Sequence, residues 1–142
     1  MKEIKCNIWT KNVICVTTNG ILNYKSELVM GKGIALEAKL RYPNLPMVLG
    51  KHVIKNGNVP CLVSNEDGRI IISYPTKHHW RDKSDIELIK ESARRLVMIA
   101  DFQHLEEVYL PHVGCSNGGL NWNYVKSNIE NILDDRFIAC EV

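Results

Sequence analysis

PHVGCSNGGLNW, residues Pro111 to Trp122, stands between a short apolar run, Val108-Tyr109-Leu110, and an amphipathic run from Trp122 to Leu133. That order reads as strand, small-residue loop, helix. Three glycines, Gly114, Gly118 and Gly119, let the backbone approach a ligand closely and take positive φ. Loop amides beside a helix N-terminus favour an anion. The stretch fits neither GxGxxG nor GxxxxGK[ST]. Taken alone, it reads equally well as a glycine-rich turn without a ligand.

Working outward, the same order recurs near the start of the chain. Val13 to Thr17 is a nearly continuous apolar, β-branched run, as expected of a central strand covered on both faces. It ends at the turn signal Thr18-Asn19-Gly20. After a polar loop, Val29-Met30-Gly31-Lys32-Gly33-Ile34-Ala35 opens a helix that runs to about Arg41, before Pro43. Two helix N-termini, each preceded by glycines, suit one phosphorylated ligand.

The remaining elements follow from periodicity and turn residues. Ile4 to Trp9 reads as a strand and Leu45 to Lys55 as a helix. Cys61 to Ser64 and Arg69 to Tyr74 form a hairpin around Asn65-Glu66-Asp67-Gly68. Ser84-Asp85-Ile86-Glu87 is a capping-box pattern with Ser84 at the cap, and Ile86, Ile89, Ala93, Leu96, Val97 and Ala100 then mark one helical face. Asn121 caps the helix that starts at Trp122, and Phe137 to Cys140 closes the chain as a strand. Strands and helices alternate, so the expected class is α/β: one domain over residues 1–142, three layers, a central mixed sheet of roughly six strands.

Composition sets outer bounds. The chain has 142 residues, 45% apolar and 24% charged, with a net charge of +2. This is ordinary globular material for one core and not the balance of a dedicated duplex-DNA binder. No apolar run is long enough to span a membrane, and the first residues lack the apolar core of a signal peptide. Cys6, Cys15, Cys61, Cys115 and Cys140 are scattered and odd in number. The expectation is a reducing cytoplasm, without disulfides or structural zinc.

The densest group of functional side chains is Pro75-Thr76-Lys77-His78-His79-Trp80-Arg81-Asp82-Lys83. Its cations, histidines and tryptophan suit an anionic, stackable partner such as a nucleotide. Lys77 is a candidate nucleophile toward an electrophilic carbon, and the histidines are candidate proton relays. The competing reading is a solvated basic loop with Trp80 tucked into the core. A metal site built from His78, His79, His112 and Cys115 lacks zinc spacing, so no metal is expected. A cysteine hydrolase built on Cys115 and His112 would use a thiol acidified near a helix N-terminus.

Three stretches together resemble the macro-domain family of ADP-ribose-binding modules: VMGKGIALEAKLRYP (Val29 to Pro43), YPTKHHWRDKSDIELIKESARRL (Tyr74 to Leu96) and PHVGCSNGGLNW. They stand in the family's order and resemble its DarG-type branch, which removes ADP-ribose from DNA, and the terminal ADP-ribose protein glycohydrolases. Related stand-alone domains occur in phages and bacteria. The resemblance implies the α/β/α macro fold and an ADP-ribose site. Asn7 and Ile8 match the adenine contacts, with Asn7 where the family usually has aspartate. Asn19, Met30, Gly31, Lys32, Gly33 and Ile34 match the first loop, along the diphosphate and distal ribose. Thr76, His112, Gly114, Cys115, Ser116, Asn117 and Gly118 complete the binding set. Lys77 matches the lysine that DarG-like hydrolases need, and His79 or His112 would supply a proton relay. Gly118 stands where the protein-specific branch has an aspartate and the DarG-like pattern has glycine. Asn121 replaces a carboxylate often found in the DarG-like pattern.

The implied function is hydrolysis of terminal ADP-ribose from a DNA base or an acidic protein side chain. The alternatives are a reader without turnover and a phosphatase acting on ADP-ribose 1″-phosphate. The implied partner is ADP-ribose or an ADP-ribosylated macromolecule, single-stranded DNA among them. The expected state is a cytoplasmic monomer needing no cofactor.

Overall fold

The computed structural model describes residues Met1–Glu141. Six strands form one mixed sheet: β1 (Lys2–Lys5), β2 (Val13–Thr18), β3 (Leu62–Ser64), β4 (Ile70–Pro75), β5 (Val108–Leu110) and β6 (Phe137–Glu141). Their order across the sheet is β1-β6-β5-β2-β4-β3, with only β3–β4 antiparallel. The helices are α1 (Gly33–Arg41), α2 (Leu45–Asn56), α3 (Ile86–Gln103) and α4 (Trp122–Ile129). This is the three-layer α/β/α arrangement expected from the alternation of elements.

Alternation along the central strands builds two cores, because successive side chains of a strand point to opposite faces. Cys15 and Ile72 join Ile89, Leu96, Val125 and Ile129 under α3 and α4. Ile14 and Ile71 join Ala38, Leu45 and Leu49 under α1 and α2. The chain therefore leaves β2 for one face and leaves the adjacent β5 for the other. Neighbouring parallel strands whose exits diverge open a crevice beyond their C-terminal ends.

Four local expectations are corrected. β1 stops at Lys5; Ile8–Thr10 is a 3-10 turn started by Asn7, whose Oδ1 accepts the Trp9 amide at 3.0 Å. A short polar side chain that bonds its own backbone competes with strand pairing. α4 ends at Ile129, where the carbonyl takes both the Ile132 and Leu133 amides at 2.9 Å. The cap of α3 is Asp85, whose carboxylate accepts the Glu87 amide at 2.9 Å, and not Ser84, whose hydroxyl is buried against the second loop.

The fourth correction concerns the cysteines. Cys6 and Cys140 form a disulfide, with Cα atoms 5.5 Å apart. The sheet order causes it: β1 lies beside β6, Ile4 is in register with Cys140, and the Cys6 amide donates to the Glu141 carbonyl at 3.1 Å. A pair 134 residues apart leaves no trace in local spacing. The argument for a reducing compartment thus loses its premise. Cys15, Cys61 and Cys115 are free thiols. Among the described residues no helix is long and apolar enough to cross a membrane.

Candidate functional site

The crevice is a cavity of about 1150 Å³, large enough for a dinucleotide-sized ligand. Its walls are the turn after β1 (Asn7, Ile8, Trp9), the loop from Val29 to Ala35, and the loop from Gly114 to Gly118. Thr76, Lys77 and Trp80 stand after β4, and Pro111 and His112 after β5. Every site residue expected from sequence lines this cavity except His79.

The loop carrying Lys77 is held in place along its length. The Thr76 amide donates to the Thr18 carbonyl at 3.0 Å, and Asn58 Nδ2 donates to the Lys77 carbonyl at 2.9 Å. The Gly20 amide reaches the His78 carbonyl at 3.2 Å, and the Asp85 amide returns to the Thr76 carbonyl at 2.9 Å. Beneath it, Ser92 Oγ donates to the Pro75 carbonyl at 2.8 Å and Tyr74 Oη to the Ile89 carbonyl at 2.8 Å, tying α3 to β4. Lys77 Nζ donates to the Asn117 carbonyl at 3.1 Å and the Trp80 carbonyl at 3.4 Å. The amine therefore bridges its own loop and the second glycine loop.

The two histidines of this loop are turned to other work. His78 Nε2 pairs with the Asp85 carboxylate at 2.9 Å, and this contact holds the Asp85 carboxyl below its ordinary range. His79 Nδ1 accepts the Arg81 amide at 3.1 Å. Trp80 is 48% exposed at the cavity mouth, against the expectation that it tucks into the core.

The glycine loops supply backbone donors. Gly33 (φ 57°) opens α1, and Lys32 before it makes no side-chain cap, so the Gly33, Ile34 and Ala35 amides lack intrahelical acceptors. In the second loop Gly114 (φ 78°) and Ser116 (φ 53°) turn the chain into a short 3-10 helix, Ser116–Gly118. Its opening amides, Ser116 and Asn117, donate to no acceptor among the described residues. The loops meet: a Cβ on Gly33 would lie 3.2 Å from Asn117 Nδ2. Two sets of free amides line one cavity, which suits a diphosphate.

Other positions serve the scaffold. Asn19 Nδ2 donates to the Val29 carbonyl at 3.0 Å and its Oδ1 accepts the Ile21 amide at 2.9 Å, fixing the approach to the first loop. His112 stacks on Trp122 with ring centres 4.1 Å apart and planes 2° apart, leaving its buried Nε2 without a partner among the described residues. Burial pushes the Cys115 thiol up, and its Sγ donates to the Val113 carbonyl at 3.6 Å. That is the opposite of an activated thiolate. Among the described residues no three His, Cys, Asp or Glu side chains gather as a metal-binding group.

Sequence reasoning left Trp9 and Cys140 out of the site and offered Trp80 only as part of the basic loop. Trp9 stands two residues after Asn7, and that proximity was the available signal. Cys140 reaches the cavity only through the pairing of β6 with β1.

The family model described as "Macro domain" matches residues 24–129. A relative from Thermus aquaticus, named DNA ADP-ribosyl glycohydrolase, is 34% identical over 113 residues, covering 75% of this chain and 31% of that protein. The chain thus spans about a third of that relative's length. A Bos taurus relative, named ADP-ribose glycohydrolase OARD1, is 26% identical over 121 residues, covering 84% of this chain and 78% of its own. The solved macrodomain of Thermus aquaticus DarG matches with a TM-score of 0.80 at 27% identity, covering 99% of this chain and 97% of that one. With the cavity, the paired amide loops and the α/β/α layers in agreement, the chain belongs to the macro-domain family.

Proposed function

We propose that this macro domain binds ADP-ribose in the cavity and hydrolyses terminal ADP-ribose from a modified macromolecule, with Lys77 as nucleophile. The observation that carries the reading is the position of Lys77 Nζ on the cavity wall, held by the Trp80 carbonyl of its own loop and the Asn117 carbonyl of the second loop of free amides. The names of the Thermus aquaticus and Bos taurus relatives, both glycohydrolases, support the same reaction class.

In this reading the amides of Ser116, Asn117 and Gly33 to Ala35 take the diphosphate. Asn7, with Ile8 beside it, faces adenine. Its Oδ1 is engaged by the Trp9 amide, so Nδ2 is the group available to a base. A neutral amine has two N–H bonds and one lone pair. As nucleophile, Lys77 directs that lone pair at the anomeric carbon of the distal ribose. A carbon–nitrogen bond forms as the glycosidic bond breaks, and the leaving group takes the bonding pair and a proton. Water then attacks the same carbon, and ADP-ribose and the free amine are restored. The His79 ring nitrogen that accepts Arg81 is not available as a relay, which leaves His112 as the histidine on the cavity wall.

The test is Lys77→Ala, assayed on an ADP-ribosylated single-stranded oligonucleotide and on a protein carrying ADP-ribosylated glutamate. Calorimetry with free ADP-ribose runs beside it. Binding is expected to persist within a few-fold while turnover falls by roughly a thousandfold. Wild-type chain that binds ADP-ribose and releases it from neither substrate would instead establish a reader.

A further inference from the structure

We infer that the Cys6–Cys140 disulfide is a redox switch on the cavity: the oxidised chain holds ADP-ribose, and a thiol reductant weakens the site by releasing the wall that carries Asn7. The inference rests on the ADP-ribose reading above. Both cysteines line the cavity, Cys6 half-buried and Cys140 3% exposed, so their bond is part of the wall that a ligand meets.

The turn from Asn7 to Thr10 is fastened differently at its two ends. Downstream, Arg69 donates from Nε to the Lys11 carbonyl at 3.1 Å and from Nη2 to the Trp9 carbonyl, and the Arg41 guanidinium lies 4.1 Å over the Trp9 ring. Upstream, Cys6 is held by the disulfide and by its amide, which donates to the Glu141 carbonyl at 3.1 Å. The strand before it, β1, is an edge strand of four exposed residues paired to β6 alone. A short exposed edge buries little and opens readily. Two sulfurs that are no longer bonded must part to van der Waals distance. Cys140 belongs to a buried cluster with Ile8, Ile138 and Tyr109, so Cys6 is the residue that gives way. Asn7 follows it in the chain and moves with it.

The reductant is a dithiol or a pair of thiols. A thiolate attacks Cys6 Sγ, the sulfur of the more exposed residue. The sulfur–sulfur bond breaks, and Cys140 leaves with the bonding pair and takes a proton. A second thiol then displaces the reductant from Cys6 as its own disulfide, and Cys6 takes the other proton. Two electrons have passed to the protein. A ligand that prefers the oxidised wall must in turn oppose its reduction, because the coupling is reciprocal.

The experiment compares the air-oxidised chain with the chain in dithiothreitol. Thiol titration of the denatured oxidised chain should find the three free cysteines, Cys15, Cys61 and Cys115. Calorimetry should show ADP-ribose affinity falling about tenfold on reduction, at unchanged stoichiometry. Saturating ADP-ribose should lower the reduction potential of the pair by the same factor, about 30 mV for a two-electron couple. Cys6→Ser should bind like the reduced chain in either buffer; where that variant does not fold, the wild-type comparison decides. Five free thiols in the oxidised chain, or equal affinity in both states, overturns the switch. So does a fall in stoichiometry at constant affinity, which would mean that reduction only unfolds some of the chains. Failure of ADP-ribose to bind either state overturns the underlying reading, and the inference with it.

Discussion

The two glycine loops look alike in sequence, and the structure uses them differently. In the loop from Val29 to Ala35, a Cβ on Gly31 would meet nothing within 4 Å. In the loop from Gly114 to Gly119, a Cβ on Gly114 would lie 2.6 Å from Ile89 Cδ1, and one on Gly118 would lie 2.2 Å from Ser84 Oγ. The first loop is open at Gly31, while the second is wedged onto the start of α3. A glycine can mark room for a ligand or the lack of room for a methyl group. At these positions the second loop is held by packing against α3, whereas Gly31 of the first loop is not.

Substitutions can break this contrast. Gly118→Ala should do the most harm, because the methyl overlaps a buried hydroxyl: about 2 kcal/mol of stability, with ADP-ribose affinity falling tenfold or more. Ser84→Ala in the same chain should restore part of both in thermal melts and calorimetry. No rescue would mean that the strain lies elsewhere. Gly114→Ala should cost about 1–2 kcal/mol through its left-handed backbone; the Ile89 methyl can shift, so the binding loss should be smaller. Gly31→Ala should change stability by less than about 0.5 kcal/mol. A large effect there would erase the distinction between the loops.

A weaker effect tests the support beneath the second loop. The His78 contact depresses the Asp85 carboxyl, so the folded state binds that proton less readily than the unfolded chain. The resulting stability is fully present above the ordinary aspartate range and is lost as pH falls through the lower folded value. Asp85→Asn should keep the cap and flatten that acid limb. Both side chains are well exposed, so the change should be small.

What the sequence disclosed was local chemistry. Asn121 was legible as a cap because asparagine before a periodic run has few other uses, and its Oδ1 accepts the Asn123 amide at 2.9 Å. The loops were legible through their glycines and the alternation of elements through apolar spacing. Ser84 and Asp85 are both capping residues, and tertiary packing decided between them: the pressed Gly118 claimed the serine. The Cys6–Cys140 pair depends on which strands become neighbours, a matter settled across 134 residues. Trp80 was visible as a residue, but its exposure depends on how its loop is tied down after β4.

The Cys6–Cys140 link has a further consequence. It closes residues 6 to 140 into a covalent ring. Tension applied on either side of the ring is carried by one sulfur–sulfur bond between two residues of the cavity wall, and the loops within the ring are bypassed. A single cut in any loop inside the ring opens the ring without separating the pieces. On a denaturing gel the nicked chain should run as one species, and as two fragments once a thiol reductant is added.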